Sequence, residues 1–260
     1  MMNFNRMTSS LWKTIFRCVA VGSLAGGLAG IFGVGCGFIM GPLFVMWLAM
    51  EQKNANATSL LAMVFIASAG LVGYIDSQNV RWDYAGLVLL GGVLGTLLGV
   101  RIFNNISPSI LRNIFVVALL VVALRLFWSI SPHQIFSGAL ALVILTLIGI
   151  VSGTLSGLLG IGGGIIIVPA LILCSGLDPE VARGTSLVVI IGTAILGSAM
   201  HSKSGHVNHE IALYTGISGI PAAIACSYLA ISVSNRIILS LFALLLVAVA
   251  GQLVRTTRGQ

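Results

Sequence analysis

Residues Gly30–Pro42 read GIFGVGCGFIMGP, and residues Gly157–Pro169 read GLLGIGGGIIIVP. Gly33, Gly35 and Gly37 in the first stretch stand two positions apart, as do Gly160, Gly162, Gly163 and Gly164 in the second, or closer. Glycine at that density destabilises helix and opens left-handed and extended backbone. Gly22, Gly26 and Gly30 differ, because a spacing of four puts them on one helix face, where they suit close helix packing. Pro42 and Pro169 follow, and proline fits the first turn of a helix, where its missing N–H has no partner to lose. Each stretch therefore predicts a helix, a glycine-rich break, and a new short helix starting near Pro42 or Pro169. Neither stretch is a Walker A loop, since no Gly-Lys-Ser/Thr triplet occurs, nor a dinucleotide fingerprint, since no strand precedes it.

Around these stretches the chain carries very few charges. Of 260 residues, 13 are Lys or Arg and 6 are Asp or Glu, while 58% are hydrophobic. Mean hydropathy is +1.10. A soluble domain is about 25% charged, against 7% here. That composition excludes a soluble enzyme, a disordered chain and a disulfide scaffold, and predicts an all-α polytopic membrane protein. Most uncharged runs fit one crossing of ~20 residues. Two do not: Cys18–Met50 has 33 residues and Leu126–Leu177 has 52. As helices they would extend ~50 Å and ~78 Å, so both must bend back or break inside the bilayer. They are the two runs that hold the glycine stretches. Their unbroken apolar character also argues against a transmembrane β-barrel.

Sliding the sequence on itself by 127 positions places Gly26, Gly30, Gly33, Gly35 and Gly37 on Gly153, Gly157, Gly160, Gly162 and Gly164. At the same offset Pro42 meets Pro169, Thr58-Ser59-Leu60 meets Thr185-Ser186-Leu187, and Asp83 meets Glu210. The expected organisation is one transmembrane domain, residues 1–260, made of repeat one (12–128) and repeat two (134–255), with a junction near Ser131-Pro132-His133. Each half should hold a first helix (12–32; 134–159), a short second helix (42–50; 169–176) and three long helices (57–75, 83–103, 108–128; 184–202, 210–230, 235–255). The recurrence also argues against reading Arg6, Lys13, Arg17 and the following apolar run as a cleaved signal peptide. If the broken segment returns to its own side, the halves are inverted, and nine Lys/Arg fall inside against four outside. If it crosses, the halves are parallel and the split is eight to five. The two splits differ little; the frequency of inverted repeats in transporters favours the first arrangement, and the positive-inside rule puts the N-terminus in the cytoplasm in either, with the C-terminus expected there too. The pI near 9.8 then reflects basic residues at helix ends, not nucleic-acid binding.

A short helix of nine residues is ~13 Å long, so it begins near the bilayer middle. Its N-terminus presents unpaired N–H groups and a partial positive charge, which an anion can satisfy. Broken helices aimed at a midplane substrate are a recurrent transporter device. Thr58-Ser59 and Thr185-Ser186 are expected to open the next helix of each half as N-caps, with substrate contact as a further role. Arg183, two residues before Thr185, offers a guanidinium to an oxyanion or an interfacial anchor. Cys18, Cys36, Cys174 and Cys226 lie in apolar runs without a CxxC pair and read as small buried hydrophobes.

The paired G-x-x-G-x-G-x-G and G-x-x-G-I-G-G-G-x-x-x-x-P motifs, with ARGTSL at Ala182–Leu187 and Gly205-x-Val207, resemble the sulfite exporter TauE/SafE family, also called the toluene sulfonate uptake permeases. The resemblance covers nearly the whole chain. It implies a bacterial inner-membrane transporter of sulfur-containing anions such as sulfite, thiosulfate, sulfoacetate or other organosulfonates. Gly33–Gly37 and Gly160–Gly164 would then flank the path. Cys36 departs from its repeat partner Gly163, and a thiol there either fills space or meets a sulfur substrate. No cofactor is expected and no ATP-binding element is visible, so transport is passive or coupled to a proton or sodium ion. Lipid is the expected surrounding, and a homo-oligomer is left open.

Three other readings are weighed. Gly216-Ile217-Ser218-Gly219 matches a rhomboid-like G-x-S-G, but the nearest His, His209, is about 13 Å away along the same expected helix. His201, His206 and His209 beside Glu210 suggest a metal transporter, yet their repeat partners Tyr74, Asn79 and Trp82 lack such ligands. An anion channel of the same architecture is the third.

Overall fold

A computed structural model describes residues 4–102 and 139–257. Among these residues the chain is all-helical, with nine helices: α1 Phe4–Phe32, α2 Gly37–Leu48, α3 Gln52–Asp76, α4 Trp82–Ile102, α5 Ala139–Leu159, α6 Gly164–Ser175, α7 Pro179–Lys203, α8 His209–Ser232 and α9 Asn235–Thr257. Six carry stretches long and apolar enough to cross a membrane: Trp12–Phe32, Gln52–Asp76, Trp82–Ile102, Leu140–Leu158, Pro179–Lys203 and His209–Ser232. Trp12, Phe16, Leu90, Leu147, Ile217 and Leu244 are exposed, as side chains facing lipid must be. The expected helix at 108–128, the beginning of the one at 134–159, and the junction at Ser131-Pro132-His133 lie outside the described residues.

Two sequence expectations are corrected here. The short helices begin at Gly37 and Gly164, not at Pro42 and Pro169. Cys36 and Gly163 turn the chain in left-handed conformation, and helix can start at once. Pro42 and Pro169 lie more than a turn inside, where each removes one backbone bond without stopping the helix. The helices therefore have 12 residues each, ~18 Å long. Likewise α3 and α7 begin at Gln52 and Pro179, with Glu51 and Asp178 at the N-cap positions. Pro179 at the first helical position explains the start of α7. Thr58-Ser59 and Thr185-Ser186 consequently sit about two turns inside and do not cap their own helices.

Helix directions follow from which residues meet. A β-carbon on Gly22, Gly26 or Gly30 would stand 2.2, 2.2 or 2.4 Å from the carbonyl oxygen of Thr215, Gly219 or Ala223. Residue numbers rise together, so α1 and α8 are parallel, and the packing role of these glycines is borne out. Gly91, Gly95 and Gly99 meet the carbonyls of Thr146, Ile150 and Thr154 in the same way, so α4 and α5 are parallel. Ile66 lies at Gly219 and Gly73 at Ser227, making α3 parallel to α8. Leu60 lies at Gly197 and Leu187 at Gly70, making α3 antiparallel to α7. Leu89 at Gly192 and Thr96 at Gly197 make α4 parallel to α7. Thus α1, α3 and α8 run one way, and α4, α5 and α7 run the other. Arg17 Nη1 donates to the Trp47 carbonyl at 2.6 Å, so α2 runs back along α1. Gly163 lies against Ser152, so the chain has likewise turned back along α5 where α6 begins.

Candidate functional site

The two breaks meet at the centre of the molecule. In the first, Gly33 (φ 66°), Gly35 (φ 71°) and Cys36 (φ 51°) are left-handed, and in the second, Gly160 (φ 69°), Gly162 (φ 80°) and Gly163 (φ 71°) are. Gly37 and Gly164 are needed for close approach. A β-carbon on Gly37 would stand 2.4 Å from the Gly160 carbonyl oxygen, and one on Gly164 would stand 2.7 Å from Val34 Cα. Gly35 and Gly162 both face Met63 Sδ and Ile190 Cγ2. Met63 and Ile190 are fully buried near the middles of α3 and α7, and they are 127 positions apart. The N-termini of α2 and α6 therefore start at one central level and lead away along α1 and α5.

Breaking a helix frees carbonyls on one side of the gap and N–H groups on the other. Side chains meet several of the carbonyls here. Tyr74 Oη donates to the Gly30 carbonyl at 2.8 Å, and Arg183 Nη1 donates to the Ile31 carbonyl at 3.2 Å. Ser186 Oγ donates to the Gly33 carbonyl at 2.7 Å. Across the centre, His201 Nε2 pairs with the Gly157 carbonyl at 3.2 Å, and Ser59 Oγ shares its proton between the Asn56 carbonyl at 2.8 Å and the Gly160 carbonyl at 3.0 Å. A carbonyl only accepts, so His201 carries its proton on Nε2 in this bond. Ser59 and Ser186 each reach the opposite break, and Thr58 and Thr185 do the equivalent with loops. Thr58 Oγ1 accepts from the Asn208 N–H and Thr185 Oγ1 from the Arg81 N–H, both at 3.0 Å.

The N–H side is treated differently. The N-cap residues of α2 and α6, Cys36 and Gly163, make no side-chain cap bond. The Cys36 carbonyl takes the N–H of Ile39 and Met40, and the Gly163 carbonyl that of Ile166 and Ile167. The N–H groups of Gly37, Phe38, Gly164 and Ile165 precede these and have no acceptor within their own helices.

Arg183 is 1% exposed, so it is no interfacial anchor. Its Nε donates to the Pro179 carbonyl at 3.1 Å and its Nη2 to Asn235 Oδ1 at 2.6 Å. All three nitrogens thus have protein acceptors. Asn235 Nδ2 donates to Glu180 Oε1 at 3.0 Å and Asn79 Nδ2 to Glu180 Oε2 at 3.4 Å. The structure brings Gly33, Gly35, Cys36, Gly37, Ser59, Gly160, Gly162, Gly163, Gly164 and Ser186 to the centre. Thr58, Thr185 and Arg183 lie in the surrounding ties.

His206 and His209 have separate side-chain partners. His206 Nδ1 pairs with Asn54 Oδ1 at 3.0 Å and His209 Nε2 with Ser202 Oγ at 3.3 Å. Among the described residues no His, Cys, Asp and Glu side chains gather into a metal-binding group. Ser218 Oγ donates to the Thr215 carbonyl at 3.1 Å. Sequence reasoning missed Met63, Ile190, Tyr74 and Asn235. The first three were signalled by position rather than type: the 127-residue offset pairs Met63 with Ile190 and Tyr74 with His201.

With this geometry in view, the family profile "Sulfite exporter TauE/SafE" matches residues 3–126 and 145–260. The chain belongs to this family. It is therefore a multi-pass membrane transporter and not an enzyme, and the G-x-S-G match is incidental. The chain is 27% identical over 223 residues to the probable membrane transporter protein YunE of Bacillus subtilis, covering 75% of this chain and 81% of that one. It is 28% identical over 247 residues to a probable membrane transporter protein of Xylella fastidiosa (strain Temecula1), covering 92% and 94%. A third relative, MJ0441 of Methanocaldococcus jannaschii, is 29% identical over 161 residues, covering 59% and 60%. No solved structure matches the chain.

Proposed function

We propose that this TauE/SafE protein is a bacterial inner-membrane carrier of small sulfur-containing anions: sulfite, thiosulfate, sulfoacetate or other organosulfonates. The substrate sits between two inverted halves, against the N-termini of α2 and α6, with Gly33–Gly37 and Gly160–Gly164 lining the path. The observation that carries this reading is the one-sided satisfaction of the two breaks. Side chains meet the Gly30, Ile31, Gly33, Gly157 and Gly160 carbonyls, while the helix N-termini carry no side-chain cap. The centre therefore keeps the positive ends of two helix dipoles, each about half an elementary charge, and an anion is the partner they call for. Inversion is supported by the opposed directions of α3 and α7 and by the exchange of Ser59 and Ser186 between the breaks, the reciprocity a two-fold relation generates. It also fits a cytoplasmic N-terminus by the positive-inside rule. Arg183 is a positioning residue that holds the end of α1, and Thr58 and Thr185 hold the loops outside the centre. Transport is passive or coupled to a proton or sodium ion.

Purified protein in proteoliposomes tests the reading. Sulfite, thiosulfate or sulfoacetate flux should saturate with concentration and support counterflow, with or without an imposed proton or sodium gradient. Flux that rises linearly without counterflow makes the protein an anion channel instead. No flux of any of these anions under any gradient overturns the reading.

A further inference from the structure

The second break holds a hydroxyl that nothing above uses. Ser156 lies in the last turn of α5. It is fully buried, and its Oγ has no hydrogen-bond partner among the described residues. Every other hydroxyl of α5 folds back onto its own helix: Thr146 onto the Leu142 carbonyl, Ser152 onto Gly149, and Thr154 onto Ile150. A buried hydroxyl without a partner costs free energy, so the exception calls for an occupant.

Its position says which. Ser152 and Ser156 are one turn apart and share a stripe of α5. Gly163, the residue before α6, lies against Ser152, where a β-carbon would stand 2.8 Å from the Ser152 carbonyl oxygen. α6 leads away from there back along α5. Ser156 is thus one turn beyond the start of α6, on the side its first N–H groups point to. The Ser156 carbonyl in turn accepts the Gly160 N–H at 2.9 Å, fixing the serine to the left-handed loop. The equivalent position in the first half is Ala29, also fully buried, which has no hydroxyl to offer.

We propose that Ser156 is a substrate-binding residue: its hydroxyl donates to a charged oxygen of a sulfur oxyanion seated at the N-terminus of α6. The second-half end of the site then carries a hydroxyl donor that Ala29 does not supply at the first. A sulfonate lies with its SO3 group toward α6 and its organic part toward α2, and sulfite occupies the α6 end alone. This rests on the anion-carrier reading above and assigns the orientation within that site.

The experiment is sulfite and sulfoacetate uptake into proteoliposomes by wild type, Ser156→Ala and Ser156→Thr. Alanine is what the first half carries, so folding should hold, and melting in detergent verifies it. A lost hydrogen bond to a charged group corresponds to about a tenfold or greater weakening. KM for both anions should therefore rise about tenfold or more in Ser156→Ala with kcat little changed. Millimolar sulfite should raise the melting midpoint of wild type more than that of the variant, and Ser156→Thr should recover most of the lost affinity. Saturable wild-type flux with an unchanged KM in Ser156→Ala overturns the assignment and leaves the carrier reading standing. Absence of flux in wild type overturns both.

Discussion

Replacing Arg183 by methionine separates two roles for this fully buried arginine beside the first break. If Arg183 holds the end of α1, its loss is first a loss of stability. The guanidinium donates to the Ile31 carbonyl at 3.2 Å and to Asn235 Oδ1 at 2.6 Å. Hydrogen bonds to charged groups are worth about 1.5–3 kcal/mol each, so about 3–6 kcal/mol is at stake. The Pro179 carbonyl adds little, because it also faces the backbone N–H one turn on in the same helix. Against this, methionine is not charged and recovers desolvation of several kcal/mol in principle. Tyr74 Oη, 3.4 Å from the Ile31 carbonyl, softens the loss further. A net destabilisation of about 3 kcal/mol is expected, which at about 2–4 °C per kcal/mol for a chain of this size lowers the melting midpoint by roughly 6–12 °C. Arg183→Lys should fall between, since a point charge replaces a fork with three acceptors around it. The assay is melting in detergent paired with sulfite KM in proteoliposomes held well below the transition. The folded variant should keep a KM within about threefold of wild type, because the structure places protein acceptors at all three guanidinium nitrogens. A variant that melts with wild type but binds sulfite tenfold more weakly refutes this reasoning and moves Arg183 onto the substrate.

Gly162→Ala forces a β-carbon to within 2.3 Å of Met63 Sδ at φ 80°. The left-handed backbone costs about 1–2 kcal/mol, and sulfite flux should fall at least tenfold while the protein stays monodisperse. Gly35→Ala, 2.7 Å from the same sulfur, should act alike, and normal flux in both would remove the glycine breaks from the path. Gly26→Ala meets the Gly219 carbonyl at 2.2 Å, backbone against backbone, and should destabilise the α1–α8 seam by about 1–3 kcal/mol or more, read as a lower melting midpoint. Ser186→Ala leaves the buried Gly33 carbonyl without its donor, a loss of about 1–3 kcal/mol; an unchanged midpoint would mean the tie between the breaks is idle. His201→Leu should lower the midpoint through the Gly157 carbonyl by a similar amount, whereas His201→Tyr, the residue at the equivalent place in the first half, should stay nearer wild type.

Run length and glycine density made the breaks readable. A 33-residue uncharged run cannot cross once, and Gly33, Gly35 and Gly37 cannot sit comfortably in one helix. The starting points of α2 and α6 were not readable in the same way. Cys36 takes a left-handed turn that composition assigns to glycine, so the prolines became the only visible start signals and placed both helices too far along. Thr58-Ser59 and Thr185-Ser186 look like caps by residue type, but the serine hydroxyls reach the opposite break and the threonine hydroxyls hold loops outside the centre, destinations that a single helix's sequence does not encode. Arg183 illustrates the same limit. Its charge was visible, but its acceptors come from α1, α7 and α9, which only the packing brings together. Ser156 was hidden for a different reason: serine in a membrane helix usually bonds its own backbone, and only the geometry reveals that this one does not.

On the proposed anion-carrier reading, the allocation of side-chain donors is what lets a centre so poor in charge prefer one sign. At each break the carbonyl end of one helix and the N–H end of the next lie close together, and their partial charges are equal and opposite. Left alone they would nearly cancel, and the gap would attract cations and anions about equally. Here the donors fall on one side only. Tyr74, Arg183 and Ser186 meet the carbonyls of the first break, and His201 and Ser59 those of the second. The N-caps of α2 and α6 provide no corresponding acceptor. What survives is the positive half of each pair, and the two survivors share one level because Met63 and Ile190 bring both breaks together. Selection for an anion then needs no cation on the path. The low dielectric of the interior amplifies the partial charges, and the buried Arg183 serves them indirectly, by neutralising the opposing end of α1. The reverse allocation, with carbonyls free and N–H groups capped by acidic or amide side chains, would turn the same pair of broken helices into a cation site.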